Sequence, residues 1–168
     1  MADTAAFCVD RLFPRVPARQ YVLSLPYALR FKMAYSADAT SMVLGAFISA
    51  INSDLRRRAR KRKLRGRLQT GSLTVVQRFG SSLNLNVHFH AIVMDGVYAE
   101  QPDGSLLFHP LSAPSDEDIA RLARAMQMRF DEERMAHCPD YAPAFAMQPN
   151  LHHPTPRQKT IFVQRIRS

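Results

Sequence analysis

The sequence predicts an α+β fold: an antiparallel sheet with helices packed against it, followed by a largely irregular C-terminal segment. Three observations carry that prediction. Over residues 84–95 the chain alternates with period two, with Leu85, Val87, Phe89, Ala91 and Val93 apolar and Asn84, Asn86, His88 and His90 polar. Asp103-Gly104 stands between two short apolar runs, a strong signal for a tight hairpin turn. Val43, Phe47, Ile51 and Leu55 recur at the spacing of one buried helix face.

The elements follow in order. Asp3 to Phe13 reads as a short helix, with Asp3 as its N-cap and Pro14 beyond its end. Gln20 to Leu25 reads as a strand closed by Pro26. Tyr27 to Tyr35 is ambiguous and begins helical. Ser36 or Asp38 caps a long helix running to about Lys63, with Gly66 at its end. Gly71 to Phe79 is a second strand, and Gly80-Ser81-Ser82 is a turn. The 84–95 strand then pairs with it as an antiparallel hairpin. Ser105 to Phe108 returns from the Asp103-Gly104 turn. Ser115 caps a helix with Asp116, Glu117 and Asp118 in its first turn. Its buried side is Ile119, Leu122, Met126 and Phe130. Beyond about Met135, Pro139, Pro143, Pro149, Pro154 and Pro156 interrupt every periodic pattern. Residues 1–136 are therefore expected to form the folded unit and 137–168 a Pro-rich irregular tail.

Several function classes drop out. A chain of 168 residues is long enough for one well-buried core. Its longest mostly apolar run, Met42 to Ile51, is too short to span a bilayer and is broken by Gly45 and Ser49. Asp3 and Asp10 stand where a secretory signal needs basic residues. Cys8 and Cys138 make no disulfide framework, so a reducing cytoplasm is the expected setting. Phosphate-cradling glycine loops and a serine nucleophile elbow are absent from the sequence. Cys138 with His137, His152 and His153 matches no metal-ligand spacing.

Two features carry chemistry. His88 and His90 share one strand face, with Cα atoms about 6.8 Å apart. Two imidazoles at that spacing can converge on one ion held at about 2.0–2.2 Å. The same pattern also suits two solvated polar positions on a half-exposed strand. The second feature is charge. The net charge is +9, and residues 56–67 hold nine basic side chains and no acid: Arg56, Arg57, Arg58, Arg60, Lys61, Arg62, Lys63, Arg65 and Arg67. Taking these nine from the 23 basic residues leaves 14, against 14 acidic ones. The whole excess sits in one segment, as a polyanion partner requires. Read as structure alone, the run is a solvated helix end.

With these residues placed, the chain resembles a known family. Arg19-Gln20-Tyr21-Val22-Leu23-Ser24-Leu25-Pro26, then Val75-Val76-Gln77-Arg78-Phe79-Gly80, then Leu83-Asn84-Leu85-Asn86-Val87-His88-Phe89-His90 are similar to transposases of the rolling-circle insertion sequences. Those are two-tyrosine members of the HUH endonuclease superfamily. The resemblance runs from about Met1 to about Ala123. It implies an antiparallel sheet with the histidine strand near its centre. It implies a divalent cation, Mg²⁺ or Mn²⁺, held by His88 and His90 and polarising a phosphate of single-stranded DNA. A tyrosine hydroxyl then attacks, giving a 5′-phosphotyrosine and a free 3′-hydroxyl, and strand transfer reverses the attack.

Two departures from the family follow. The cysteine-rich zinc module that precedes this region in such transposases is not matched, and the family's paired tyrosines on a downstream helix are not matched either. Downstream of the histidines stand Tyr98, in a hairpin, and Tyr141, in the Pro-rich tail. No catalytic residue is assigned, and the resemblance implies an inactive remnant. Gln77 is a candidate third ligand from its place in the resembling run. Its parity with Leu73, Val75 and Phe79 argues against that role. The competing expectations are a non-catalytic nucleic-acid-binding domain gripping through residues 56–67, and an inert fragment.

Overall fold

The computed structural model describes residues 14–25, 30, 33–79, 85–137 and 161–165. The helix expected over Asp3–Phe13, the Gly80-Ser81-Ser82 turn, Cys8, Cys138, Tyr27 and Tyr141 lie outside them. The first sheet has strand order β3-β4-β1-β7, with β1 Ala18–Ser24, β3 Ser72–Phe79, β4 Leu85–Met94 and β7 Ile161–Arg165. All its pairings are antiparallel. The histidine strand β4 is therefore interior, hydrogen-bonded on both edges. The expected period-two pattern holds: Val87, Phe89, Ala91 and Val93 are fully buried.

That buried face is covered by helix α1, Ala37–Lys61. Ser36 rather than Asp38 is the cap, its hydroxyl accepting from the Ala39 N–H at 3.2 Å. Asp38 sits in the first turn, where the helix dipole favours an acid. Val43, Phe47, Ile51 and Leu55 are all buried, and the Phe47 ring meets Phe89 at a centroid distance of 6.5 Å. The helix stops at Lys61, before Gly66. Lys63 takes a left-handed φ of 63°, and the Leu64 N–H reaches the Ala59 carbonyl at 3.2 Å. Lys63 N–H bonds the Arg60 carbonyl at 2.9 Å, completing a Schellman turn. Leu64 packs back on the core. Covering Leu64 and satisfying two carbonyls outweighs the roughly 1–2 kcal/mol that a non-glycine residue costs in this conformation.

The remaining strands form a second sheet, β2-β5-β6, from Leu68–Gln69, Gly96–Glu100 and Leu106–Pro110. The predicted Asp-Gly turn joins β5 to β6, with Gly104 at φ 81°. Gly96 has no room for a side chain, because a Cβ would collide with the His109 carbonyl oxygen and the Phe108 ring. Asp95 alone separates β4 from β5. It is buried and accepts two hydrogen bonds from Arg19, Nε at 3.1 Å and Nη2 at 2.5 Å. This bidentate pair fixes the corner between the sheets.

Helix α2, Asp116–His137, packs on α1. Its capping box is complete: the Ser115 hydroxyl accepts from the Asp118 N–H at 3.1 Å, and Asp118 accepts from the Ser115 N–H at 3.2 Å. Leu122 and Met126 are buried and Ile119 partly so, as the spacing predicts. The Phe130 side chain lies outside the described residues. Within 137–168, strand β7 completes one edge of the first sheet by pairing with β1. The prolines obscured that short apolar run, which begins after the last of them. No described helix is long and apolar enough to cross a membrane.

Candidate functional site

Cross-strand pairing decides what surrounds the histidines, because directly paired residues project to the same face. His88 lies across from Ser24 on one side and Gln77 on the other. His90 lies across from Val22 and Val75. The face opposite the helices thus carries polar groups around His88 and apolar ones around His90. The two rings meet edge to face, with centroids 4.8 Å apart.

Each ring is held at Nδ1. The His88 Nδ1 lies 2.7 Å from the Asn86 carbonyl oxygen. A carbonyl can only accept, so this nitrogen carries a proton, and in the neutral ring Nε2 is the one with the lone pair. The His90 Nδ1 lies 2.7 Å from the Gln20 amide nitrogen. Turning that amide over places its oxygen there instead, so that Nδ1 donates and Nε2 becomes a bare acceptor. The His90 Nε2 is buried and has no hydrogen-bond partner. Burial, and then the neighbouring His88, pushes the His90 pKa below its ordinary value. Both effects favour the neutral ring that a metal needs.

The donor set can be tested against a divalent cation. Two neutral imidazoles with Nδ1 engaged elsewhere are the usual presentation of ligating histidines. Among the described residues no third His, Cys, Asp or Glu joins them. The groups left to complete a shell are neutral oxygens: Ser24 and the Gln77 amide across from His88, and the buried, unpartnered Asn86 Oδ1. Such a mixed set suits Mn²⁺ better than Mg²⁺, which prefers oxygen and binds imidazole weakly. Gln77 is a correction to the parity argument. It is on the histidine face after all, because Leu73 and Val75 share that face beside Ile92 and His90. Its amide donates to the Phe79 carbonyl at 3.1 Å. Sequence reading missed Gln20 and Ser24 as neighbours of the pair. The alternation of Gln20, Val22 and Ser24 on β1 was the available signal.

The basic run does not join this site. Phe47 packs on Phe89, on the face opposite the histidines. Lys61 is fourteen residues further along α1, about 21 Å at 1.5 Å per residue. Nor is the run one surface. Arg57 bridges Asp54 and Asp118 at 2.5 and 2.6 Å. Arg58 is buried, with Nε 2.9 Å from Asp54 and Nη1 donating to the Ser112 carbonyl at 2.7 Å. Arg56 donates to the Leu68 carbonyl and Arg62 to that of Pro110. Arg60, Lys61, Lys63, Arg65 and Arg67 are exposed. The run contains no acid, but folding delivers Asp54 and Asp118 to it.

Two of the described tyrosines, Tyr21 and Tyr98, lie off the histidine face. Tyr21 is on the helix-covered face, and burial pushes its pKa up to about 12. Tyr98 is on β5 of the second sheet, its ring 5.1 Å from Phe108. Tyr35 is exposed just before α1.

Residues 71–164 match the model of a family described as "Putative transposase". The match covers more than half of the chain and includes both histidines. It also runs through the Pro-rich segment, beyond Ala123, where the sequence resemblance ended. No curated protein and no solved structure matches the chain.

Proposed function

The chain belongs to this transposase family, whose partner is DNA, and from that premise we propose that it engages single-stranded DNA by the metal-dependent nick-and-join chemistry of the two-tyrosine HUH endonucleases. His88 and His90 are the metal ligands in this reading. The observation that carries it is the convergence of two imidazoles whose Nδ1 atoms are already engaged, 4.8 Å between ring centroids. A bound Mn²⁺ or Mg²⁺ supplies positive charge beside the scissile phosphate. The chain's own part is to orient. The Asn86 carbonyl and the Gln20 amide fix the two rings, and Val22 and Val75 flank His90 with apolar surface.

In the family reaction a tyrosine oxygen attacks phosphorus, forming the P–O bond as the 3′-oxygen leaves. Much of the rate of such a step comes from alignment of the nucleophile. Tyr21 is buried with its pKa pushed up to about 12 and Tyr98 belongs to the other sheet, so the reading assigns neither as nucleophile. The second reading, argued from these two tyrosines alone, is a nucleic-acid-binding domain that performs no strand cleavage.

The test uses the full chain, Mn²⁺ and a labelled single-stranded oligonucleotide. Mn²⁺ should tighten DNA binding, and His88→Ala with His90→Ala should remove that gain. Equal binding with and without metal would sink the metal-site reading. No denaturant-resistant protein–DNA band is expected. Such a band, lost in Tyr98→Phe or Tyr141→Phe, would show that the chain carries its own nucleophile.

A further inference from the structure

At the end of α1 the basic side chains divide between two adjoining clefts. One, of about 170 Å³, lies between the last helical turn and residues 111–113, and is lined by Arg57, Arg58, Lys61 and Arg62, with Asp118 as its one carboxylate. The other, of about 620 Å³, is lined by Ser53, Arg56, Arg57, Arg60 and Lys61 and by no acid. Arg57 and Lys61, one helical turn apart, border both. The walls are built rather than incidental. Arg58 is 8% exposed, its Nη1 bound to the Ser112 carbonyl, and its Nη2 has no hydrogen-bond partner. Arg62 is held across the cleft mouth by the Pro110 carbonyl. The carboxylates that touch this lining, Asp54 and Asp118, are both engaged by Arg57. Lys61 and Arg60 stand exposed at the rim.

We propose that these two clefts form a phosphodiester seat, separate from the histidine pair, that holds a different stretch of DNA from the one presented to the metal. The inference rests on DNA as the partner. Fixed guanidinium groups and an exposed ammonium at a shared rim match a chain of phosphates, in which each neutralised charge releases counterions. The separation follows from the fold. The seat runs along α1 from Ser53 to Arg62, about 9 to 22 Å along the helix from the Phe47–Phe89 contact, and lies behind the sheet from the histidines. A strand occupying one site cannot reach the other without passing round the sheet edge.

A tetranucleotide too short to bridge the two sites tests this. It is titrated against the full chain in chelator, across a salt series. The wild type should bind with a linear log–log salt dependence. Lys61→Gln with Arg62→Gln should weaken binding at least tenfold and flatten the slope by about 0.7 for each phosphate no longer neutralised. Arg15→Gln with Arg124→Gln removes the same charge elsewhere on the exposed surface and should leave both nearly unchanged. An equal loss in that control would reduce the seat to a diffuse field and overturn the proposal. His88→Ala with His90→Ala should not alter binding in chelator, and a weaker complex there would merge the two sites and overturn it too. Competition at matched ionic strength identifies the ligand. Displacement by inorganic phosphate as readily as by the tetranucleotide would make this a free-anion site, against the proposal. Failure of the metal-site reading appears separately, as a missing Mn²⁺ response with these binding results intact.

Discussion

The histidine face of the first sheet and the basic end of α1 are both polar, but they are built on different principles. The histidine pair is small and half-buried, and each ring is fixed by one neutral hydrogen bond at 2.7 Å. Its reach is a few ångströms, and salt hardly touches it. The basic end consists of long side chains with charge in excess of the acids nearby. Its reach is set by screening, about 10 Å at 0.1 M salt. In the proposed reading that difference would separate two tasks, placing one phosphate accurately and retaining a polyanion loosely. Because α1 covers one face of the sheet and the histidines occupy the other, each task can fail without the other.

The largest effect expected is on the metal. Mn²⁺ should raise the melting temperature of the wild type, because it binds the native state preferentially. His88→Ala with His90→Ala should abolish that rise, whereas Lys61→Gln with Arg62→Gln should keep it. Disappearance of the rise in both variants, seen by scanning fluorimetry, would break the separation of the two regions.

Within the basic run, neighbouring residues should behave unlike one another. Arg58→Ala leaves the buried Asp54 with a weakened partner set and should cost about 3 kcal/mol, the order found for breaking a buried pair. Arg60→Ala, two positions on and exposed, should stay within about 0.5 kcal/mol. Urea unfolding of the two variants checks this. Equal costs would mean that the run is a uniform surface after all.

A smaller effect sharpens the histidine side. Gln20→Ala removes the group that holds His90 at Nδ1 and should weaken Mn²⁺ affinity about tenfold, at the low end for outer partners of ligating histidines. Stability without metal should change little. The long-range ¹H–¹⁵N spectrum of the imidazoles should show His90 losing its single tautomer while His88, held by Asn86, retains its own. An unchanged His90 tautomer would remove Gln20 from the site.

The smallest effect concerns acid stability. Burial alone would raise the Asp118 carboxyl, but hydrogen bonds from Arg57 and Ser115 outweigh it and bring its pKa to about 2. The folded value lies below the unfolded one of 3.8, so the contribution is present above pH 3.8 and is lost as pH falls towards about 2. Asp118→Asn should therefore flatten the stability profile in that window. An identical acid limb in the variant would show that the bridge from α1 to α2 carries no acid-labile stability.

Much of the fold was legible because its signals are local. Alternation over Leu85–Val93, the four-residue spacing from Val43 to Leu55, the Asp103-Gly104 turn and the Ser115 cap each report burial or hydrogen bonding within a few residues. The same locality placed His88 and His90 side by side, since one strand positions both. Short-range order also shows its limits. The helix end moved to Lys61 because burying Leu64 mattered more than placing a glycine at the stop. Gln77 and Gln20 joined the histidine face through register with other strands, which the period of one strand does not specify. The charge excess of residues 56–67 is a property of the chain, but its distribution is not. Asp54 stands just upstream and Asp118 is 61 residues from Arg57, and folding brings both onto the run. The sequence could therefore name the residues that bear charge and the paired imidazoles. Which of them are neutralised, and which side of the sheet each site faces, depends on contacts between segments far apart in the chain.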